Sequence, residues 1–237
     1  METFTSVSGE LRNPLDKAQL AQLDQYASLL LAANEAAGLM SSSATREEIY
    51  RRHFPEALAA LATIEARDIP VSPAVDIGTG GGLPGIVLKI ARPDISITLL
   101  EATRKKAEFL TQAVDRLSLR GVSVVQARAE TIGQQAEYRA AFQLAIARAL
   151  APLPVLLELA LPLLQERGHL VAMKGSGATS EIEASAIALA TLGGEIDDVI
   201  AIESDGANPL HLVIVRKVGE TPEKYPRKSG MPAKRPL

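Results

Sequence analysis

The chain has 237 residues, of which 47% are apolar and 22% are charged, a balance typical of a globular protein that buries its own core. It contains no cysteine, which excludes disulfides, thiolate metal sites and reactions that need a cysteine nucleophile. The three histidines, His53, His169 and His211, lie far apart in the sequence, so we expect no metal site.

Charge is unevenly distributed around a net value of −3. Residues 216–237 carry seven basic and two acidic side chains, whereas the rest of the chain is acidic overall. A basic tail on an acidic body indicates either contact with a polyanion or a solvated terminus. The N-terminus lacks an apolar signal segment, and the longest apolar run, residues 152–164, is too short to cross a membrane. We therefore expect a cytoplasmic protein without membrane contact.

The first 68 residues are predicted to form a helical N-terminal extension. Apolar residues recur at helical spacing from Pro14 to about Ala37, and a glycine then breaks the pattern. Thr45 followed by Glu48 is the pattern of a capping box, which predicts the start of a second helix. Pro55 is expected to kink or end that helix.

From residue 69 to residue 218, short apolar runs alternate with helical segments. Strands are predicted at residues 71–77, 95–100, 122–126, 142–147, 169–173, 195–202 and 211–218. Helices are predicted at residues 83–91, 104–119, 154–164 and 180–192. This rhythm predicts a doubly wound α/β domain with a mostly parallel sheet. Turn-forming residues at 205–209 allow one antiparallel edge, and residues 219–237 form a basic, proline-rich tail.

The segment VDIGTGGGLPG, residues 75–85, connects the first predicted strand to the helix that follows it. This is the place where an open α/β sheet binds its ligand. Glycines permit positive φ and let a ligand lie against bare backbone. Pro84 suits the first turn of the following helix, whose N–H groups then point at the ligand.

Two ligand classes fit this loop. Gly80, Gly82 and Gly85 match the dinucleotide spacing G-x-G-x-x-G, which is a weak signal by itself. Asp76, Gly78, Gly80 and Gly82 match instead the register of an S-adenosylmethionine site. An acid is unfavourable beside a pyrophosphate but suits the ammonium group of a methionine moiety, so we favour S-adenosylmethionine.

Glu101 ends the second predicted strand, about where an acid binds the ribose hydroxyls of an adenosine ligand. Further segments stand out beside the glycine-rich loop: RP at 92–93, TLLE at 98–101, RKKAEFL at 104–110, ARAE at 127–130, ARA at 147–149, MKG at 173–175 and YPRKSGMPAK at 225–234. Together with DIGTGGGLPGI at 76–86, they make the sequence resemble the RsmG (GidB) family of 16S rRNA guanine-N7 methyltransferases.

The resemblance implies a class I methyltransferase fold, which is Rossmann-like, with S-adenosylmethionine as cofactor and one guanine of 16S rRNA as substrate. It implies cofactor contacts at Gly78, Leu83, Glu101, Ala102, Thr103, Ala129, Glu130 and Arg148. The chain departs from the family before the first strand, where Arg-His-x-x-Asp-Ser-Leu is usual. Here residues 52–58 read RHFPEAL, which leaves either a site role or a structural role for Glu56.

The chemistry that this family performs needs no general base, because guanine N7 already carries an available lone pair. Positioning and electrostatics then supply the catalysis. Arg148 and Lys174 end adjacent predicted strands and are our candidates for catalysis, by hydrogen bonds to guanine O6 or to phosphate. The sequence also lacks the Asn/Asp-Pro-Pro-aromatic tetrad of amino-group methyltransferases.

RNA affinity is expected to come from phosphate neutralisation and to depend on salt. The basic candidates for RNA contact are Arg52, His53, Arg104, Lys105, Arg227, Lys228 and Lys234. Because the body is acidic, we expect the protein to act on RNA displayed within the small ribosomal subunit. We also expect a monomer. Two alternatives stay open from the sequence: an NAD(P)-binding oxidoreductase that uses the other glycine register, and a non-enzymatic RNA-binding or ribosome assembly factor.

Overall fold

The fold is built around one seven-stranded sheet, seen in a computed structural model that describes residues 2–202 and 209–237. The strands run in the order β3-β2-β1-β4-β5-β7-β6. Their bounds are β1 Ala74–Ile77, β2 Ile97–Glu101, β3 Val122–Gln126, β4 Phe142–Arg148, β5 Leu164–Lys174, β6 Gly194–Ile202 and β7 Leu210–Lys217. Strands β1 to β5 are parallel, and β7 pairs antiparallel with both β5 and β6. The predicted doubly wound, mostly parallel sheet is confirmed.

Helices cover both faces of the sheet. Those of the extension are α1 Glu2–Glu10, α2 Lys17–Ala37, α3 Arg46–Glu48 and α4 Phe54–Ala66, with a π-helical turn at Ile49–His53. The others are α5 Gly85–Ala91, α6 Arg104–Arg116, α7 Ala129–Ile132, α8 Leu153–Ala160, α9 Ala178–Glu183, α10 Ala186–Leu192 and α11 Met231–Lys234. No described helix is both long and apolar enough to cross a membrane.

The N-terminal extension follows its sequence signals, with one addition. Asp16 caps α2 through the N–H of Gln19, and Thr45 caps α3 through the N–H of Glu48 at 3.1 Å. The π-helical turn joins α3 to α4 directly before Pro55, a residue that lacks the N–H needed to continue a regular α-helical ladder. Helix α1 was not predicted, although Phe4, Val7 and Leu11 stand at helical spacing and pack into the core.

Two apolar clusters lie on opposite faces of the sheet. On one face, Leu23 and Leu30 of α2 pack into the same cluster as Leu99 of β2. On the other face, Ile77 of β1 packs into a cluster with Leu157 of α8. The extension therefore shares a core with the sheet, and we keep the sequence-based boundaries after residues 68 and 218 as a proposal.

Two predicted helices differ from those observed. The helix expected at 154–164 ends at Ala160, and β5 begins at Leu164 after one 3-10 turn. The helix expected at 180–192 is divided into α9 and α10 at Ser185, whose hydroxyl donates to the carbonyl of Glu181 at 2.6 Å. Such a bond bends helices. The turn predicted at 205–209 falls mostly on 203–208, outside the described residues.

Candidate active site

The glycine-rich loop after β1 takes the left-handed conformation that its composition predicts. Gly78, Gly80 and Gly82 have φ values of 67°, 59° and 98°. Tyr26 of α2, fully buried, donates from its hydroxyl to the carbonyl of Gly81 at 2.7 Å. The extension thus holds the loop from behind.

The side chain of Asp76, in β1, is buried beneath this loop. The carboxylate is 1% exposed, and its Oδ2 accepts from the hydroxyl of Thr79 at 2.5 Å and the N–H of Gly85 at 2.8 Å. Its Oδ1 is buried with no hydrogen-bond partner among the described residues. Burial raises the pKa of Asp76 to about 6, against the opposing hydrogen bonds. An acceptor without a partner fits the cationic ammonium group that the sequence assigned to it.

Glu101 connects two of the loops at the carboxyl edge of the sheet. Its Oε2 accepts from the N–H of Gly80 at 3.0 Å and its Oε1 from the N–H of Thr103 at 2.7 Å. These bonds leave other lone pairs of the carboxylate for a ligand. The predicted ribose-binding acid is therefore held rigidly at the end of β2.

A cavity of about 420 Å³ opens at the ends of β1 to β4, within the range of small-molecule sites. Six of the predicted cofactor residues line it, namely Gly78, Gly80, Glu101, Ala102, Ala129 and Glu130. A Cβ at Gly80 would meet no protein atom within 4 Å, so this glycine borders open space. The cavity size and its two carboxylates, Glu101 and Glu130, fit an adenosine-containing ligand.

Other predicted cofactor residues lie behind this cavity. Gly82 is buried, and a Cβ there would approach Ile86 to 2.5 Å and the Tyr26 hydroxyl to 2.9 Å. Leu83 is buried in the apolar cluster of the extension. The packing of the loop already accounts for both residue types. Cofactor contacts at Asp76, Gly82, Leu83, Thr103 and Arg148 stay predictions, as do those of the six residues that line the cavity.

Arg148 points toward the extension. Successive side chains of a strand point to opposite faces of the sheet. The side chain of Arg148 therefore lies on the same face as that of Asp76, whereas Ile77, which lines the cavity, points to the other face. Its Nη1 contacts Oε2 of Glu56 at 3.1 Å and Nδ1 of His53 at 3.0 Å. Burial and the neighbouring cation lower the pKa of His53 to about 3, so a neutral imidazole accepts from Arg148. The divergent Glu56 therefore orients Arg148.

Lys174, a predicted catalytic residue, is held by protein groups in the fold, and its role in catalysis stays a prediction. It is buried, and its Nζ donates to the carbonyl of Ala151 and pairs with Glu181 at 2.8 Å. Glu181 also accepts from the N–H of Leu153, the first residue of α8, at 2.6 Å. Because adjacent parallel strands end at one edge, Lys174 reaches the connection that leaves β4 and fixes its path.

The predicted RNA contacts divide into exposed and buried groups. Arg104, Lys105, Lys228 and Lys234 are exposed. Arg52 is half exposed, and it pairs with Glu56 at 3.2 Å. His53 is partly buried against Arg148. Arg227 forms an ion pair with the buried Glu158 at 2.6 Å, and its predicted contact with RNA stays a prediction.

Sequence reasoning missed part of the cavity wall. Leu150 lies against Gly78, where an added Cβ would come within 2.5 Å of its Cδ1. Gly230, Pro232 and Ala233 of the tail also line the cavity. No local pattern marks any of these residues as ligand contacts, because each reaches the site through the tertiary fold.

The family comparison agrees with the geometry of this edge. A family model described as GidB, rRNA small subunit methyltransferase G, matches residues 19–212. The chain belongs to this family. Relatives named ribosomal RNA small subunit methyltransferase G include one from Moorella thermoacetica, 41% identical over 94% of this chain and 92% of that protein. Another, from Chloroflexus aggregans, is 42% identical over 94% of this chain and 92% of that protein. The resemblance inferred from the sequence motifs is confirmed.

Solved structures of low sequence identity share the fold of this family member. A mutant of MtNAS in complex with S-adenosylmethionine superposes with a TM-score of 0.56 at 18% identity, over 86% of this chain and 73% of that one. TrmN from Thermus thermophilus gives a TM-score of 0.52 at 16% identity, over 71% of this chain and 53% of that one. These likenesses confirm the predicted class I methyltransferase fold.

Proposed function

We propose that this protein transfers a methyl group from S-adenosylmethionine to N7 of one guanine in 16S rRNA. The observation that carries the proposal is the cavity at the carboxyl edge of the sheet, bordered by Gly80 and Glu101 and backed by the buried Asp76. Family membership supports the methyltransferase activity and favours it over an oxidoreductase or a non-catalytic RNA-binding factor.

The residues of the cavity have separable roles toward the cofactor, which supplies an electrophilic methyl group. Glu101 is placed to accept hydrogen bonds from ribose hydroxyls, since its carboxylate is already aligned by two backbone N–H groups. Ala129 and Glu130, at the start of α7, offer a backbone N–H and a carboxylate to adenine. Asp76 offers its unpartnered Oδ1 to the ammonium group, directly or through water.

On the substrate side, the protein has to position guanine and does not have to remove a proton from N7. Arg148 is oriented by Glu56 and His53, which both contact its Nη1. A guanidinium group in that position suits guanine O6 or an RNA phosphate. A cation on N7 itself would oppose the developing positive charge, so Arg148 acts beside the reacting atom.

We propose further that the enzyme acts in the cytoplasm as a monomer on RNA held within the small ribosomal subunit. Arg104 and Lys105, exposed at the first turn of α6, follow Glu101 and Thr103 at the carboxyl edge of the sheet. Their exposure at this edge supports a role in binding phosphates near the substrate guanine.

Two measurements test the proposed function. Calorimetric titration with S-adenosylhomocysteine should give micromolar affinity, about −8 kcal/mol, with no binding of NAD under the same conditions. Incubation with S-adenosylmethionine and small subunits lacking the modification should yield 7-methylguanosine at one position of 16S rRNA. Binding of NAD in preference to S-adenosylhomocysteine, or methylation at an exocyclic amine, would refute the proposal.

A further inference from the structure

Residues 219–237, which we call the C-terminal strap, follow β7 and return along the protein to the cavity. Two side chains beyond α7 hold the strap by its backbone carbonyls. Arg139 donates to the carbonyl of Tyr225 at 2.7 Å, and Gln134 donates to that of Pro226 at 2.8 Å. A segment with these bonds is an ordered part of the structure rather than a solvated tail.

A buried ion pair fixes the middle of the strap. The side chain of Glu158 in α8 is 1% exposed, and Arg227 contacts its two carboxylate oxygens at distances of 2.6 to 3.1 Å. The backbone N–H of Arg227 donates to the same carboxylate at 2.8 Å. Removing one partner of such a pair leaves an uncompensated buried charge. Because α8 also supplies Val155 and Leu159 to the cavity wall, the pair joins the strap to that wall.

The end of the strap forms part of the cavity itself. Gly230, Pro232 and Ala233 line it together with Ala129 and Glu130. The N–H of Gly230 donates to Oε1 of Glu130 at 2.8 Å. The strap therefore fixes the orientation of a carboxylate that borders the same space.

We propose that the C-terminal strap is a wall of the cofactor site that retains the bound cofactor, with Arg227 as its positioning residue. This inference rests on the proposed function, since it takes the cavity to be the S-adenosylmethionine site. Gly230 orients Glu130 toward the adenine ring, and the buried Pro232 closes an apolar side of the cavity. Loosening the strap removes that wall, so the cofactor should dissociate faster.

The first test compares Arg227→Ala and Arg227→Lys in the full-length protein, with Arg235→Ala as the matched control. Arg235 is exposed on the same strap, and its substitution removes the same charge. We expect Arg227→Ala to raise the Kd for S-adenosylhomocysteine at least tenfold, Arg227→Lys to restore part of the affinity, and Arg235→Ala to equal wild type. Calorimetry gives the Kd, and a filter-binding chase with radiolabelled S-adenosylmethionine gives the dissociation rate.

A second pair of variants leaves the Glu158 ion pair intact, because Arg227→Ala risks unfolding. Pro232→Ala removes part of a side chain that lines the cavity. Pro236→Ala makes the same change at an exposed position four residues further along the strap. We expect Pro232→Ala to raise the KM for S-adenosylmethionine severalfold while kcat and the KM for RNA stay unchanged. Pro236→Ala should match wild type in all three constants.

Wild-type affinity and dissociation rate in both Arg227→Lys and Pro232→Ala would overturn the proposal. A raised KM for RNA with unchanged cofactor affinity would overturn it as well, because the strap would then be an RNA contact. Failure of the wild-type protein to bind S-adenosylhomocysteine is a different result, since it refutes the proposed function and this inference with it.

Discussion

Asp76 shows how one residue combines structural and functional demands. Its carboxylate receives two hydrogen bonds from the loop that it supports, yet it is buried with one oxygen unpartnered. Desolvation is the larger effect, since the pKa is raised to about 6 despite those hydrogen bonds. The charged form is therefore costly until a cation arrives, which is the expected state of a binding group that awaits its ligand.

Replacing Asp76 with Asn separates these demands. A raised pKa means that the folded protein binds more protons than the unfolded chain between about pH 4 and pH 6, so wild-type stability falls as pH rises through this window. Asp76→Asn keeps an oxygen that accepts hydrogen bonds from Thr79 and Gly85 but cannot titrate. It therefore removes this pH-dependent part of the free energy of unfolding, which totals about 3 kcal/mol. Urea unfolding of both proteins at pH 4.5 and 7.5 measures about 2 kcal/mol of this change, because the rest occurs below pH 4.5. Parallel pH profiles would contradict the assignment, and cofactor affinity should be weaker in the variant at pH 7.5.

Substitution of Gly80 separates the loss of a cofactor contact from the loss of stability through backbone strain. Its φ of 59° is unfavourable for any other residue, and a Cβ would project into the open cavity. Gly80→Ala should lose about 1–2 kcal/mol of stability and at least tenfold in affinity for S-adenosylhomocysteine. Gly121→Ala is the matched control. Gly121 lies at the amino edge of the sheet and has a φ of 72°, and a Cβ added there would make only ordinary van der Waals contacts. Equal affinity in the two variants would show that the loop does not contact the cofactor.

Substitution of Glu56 tests whether this residue orients Arg148 for catalysis. Glu56→Gln keeps the shape of the side chain and removes the charge that pairs with Arg148 at 3.1 Å. Misplacement of a positioned group costs roughly 10- to 100-fold in rate, so we expect kcat to fall while the cofactor Kd is unchanged. Glu47→Gln, which changes an exposed partner of Arg51, should leave kcat as in wild type. A normal kcat in Glu56→Gln would show that the contacts of Arg148 with Glu56 and His53 have only a structural role.

At the scale of elements, the main role of the extension is to support the ligand loop. Helix α2 shares a core with the sheet and places the hydroxyl of Tyr26 on the carbonyl of Gly81. The π-helical turn and α4 bring His53 and Glu56 to Arg148. The extension therefore contributes to two sides of the candidate site without lining the cavity.

Tyr26→Phe removes this support with little change in packing. The buried carbonyl of Gly81 would lose its partner, at a cost of about 1–3 kcal/mol, and the loop should bind cofactor more weakly. Tyr50→Phe is the control, since the hydroxyl of Tyr50 bonds to the exposed Asp24 at 3.1 Å. Thermal unfolding and calorimetric titration of both variants measure the difference. Unchanged affinity in a destabilised Tyr26→Phe would limit α2 to a role in folding.

At the scale of the whole molecule, the distribution of charge controls how RNA approaches. The chain carries a formal charge of −3, and Arg227, counted among the basic groups of the tail, is neutralised by Glu158. Of the exposed cations at the carboxyl edge of the sheet, Arg104 is itself paired to Glu108 at 2.7 Å. From the net negative charge we expect weak non-specific binding to free RNA.

This charge balance predicts a preference for assembled substrate. Small ribosomal subunits should be methylated at least about tenfold faster than protein-free 16S rRNA, and the KM for either substrate should rise with salt because phosphate contacts release counterions. Initial rates with both substrates at 50 and 200 mM salt measure these effects. Equal rates on the two substrates would refute the preference.

The sequence by itself determined the sheet, the ligand loop and the family. Alternating strand and helix periodicity predicted a mostly parallel sheet, although not the order of its strands. The glycines at 78, 80 and 82 take the positive φ values that their lack of a side chain permits. Glu101 lies at the strand end where its position along the chain predicted it. These properties are local, so they can be derived from short stretches of residues.

Only the tertiary structure decided what the charged side chains contact. Lys174 and Arg227 are cations at positions that suggest ligand binding, but each is paired in the fold. The loop after β5 brings the nearby Glu181 to Lys174, and Glu158 reaches Arg227 from 69 positions away. The strap likewise reaches the cavity through bonds between residues about a hundred positions apart, such as Glu130 and Gly230. Local patterns carry no record of such long-range pairings, because the burial of a charge depends on which elements pack around it.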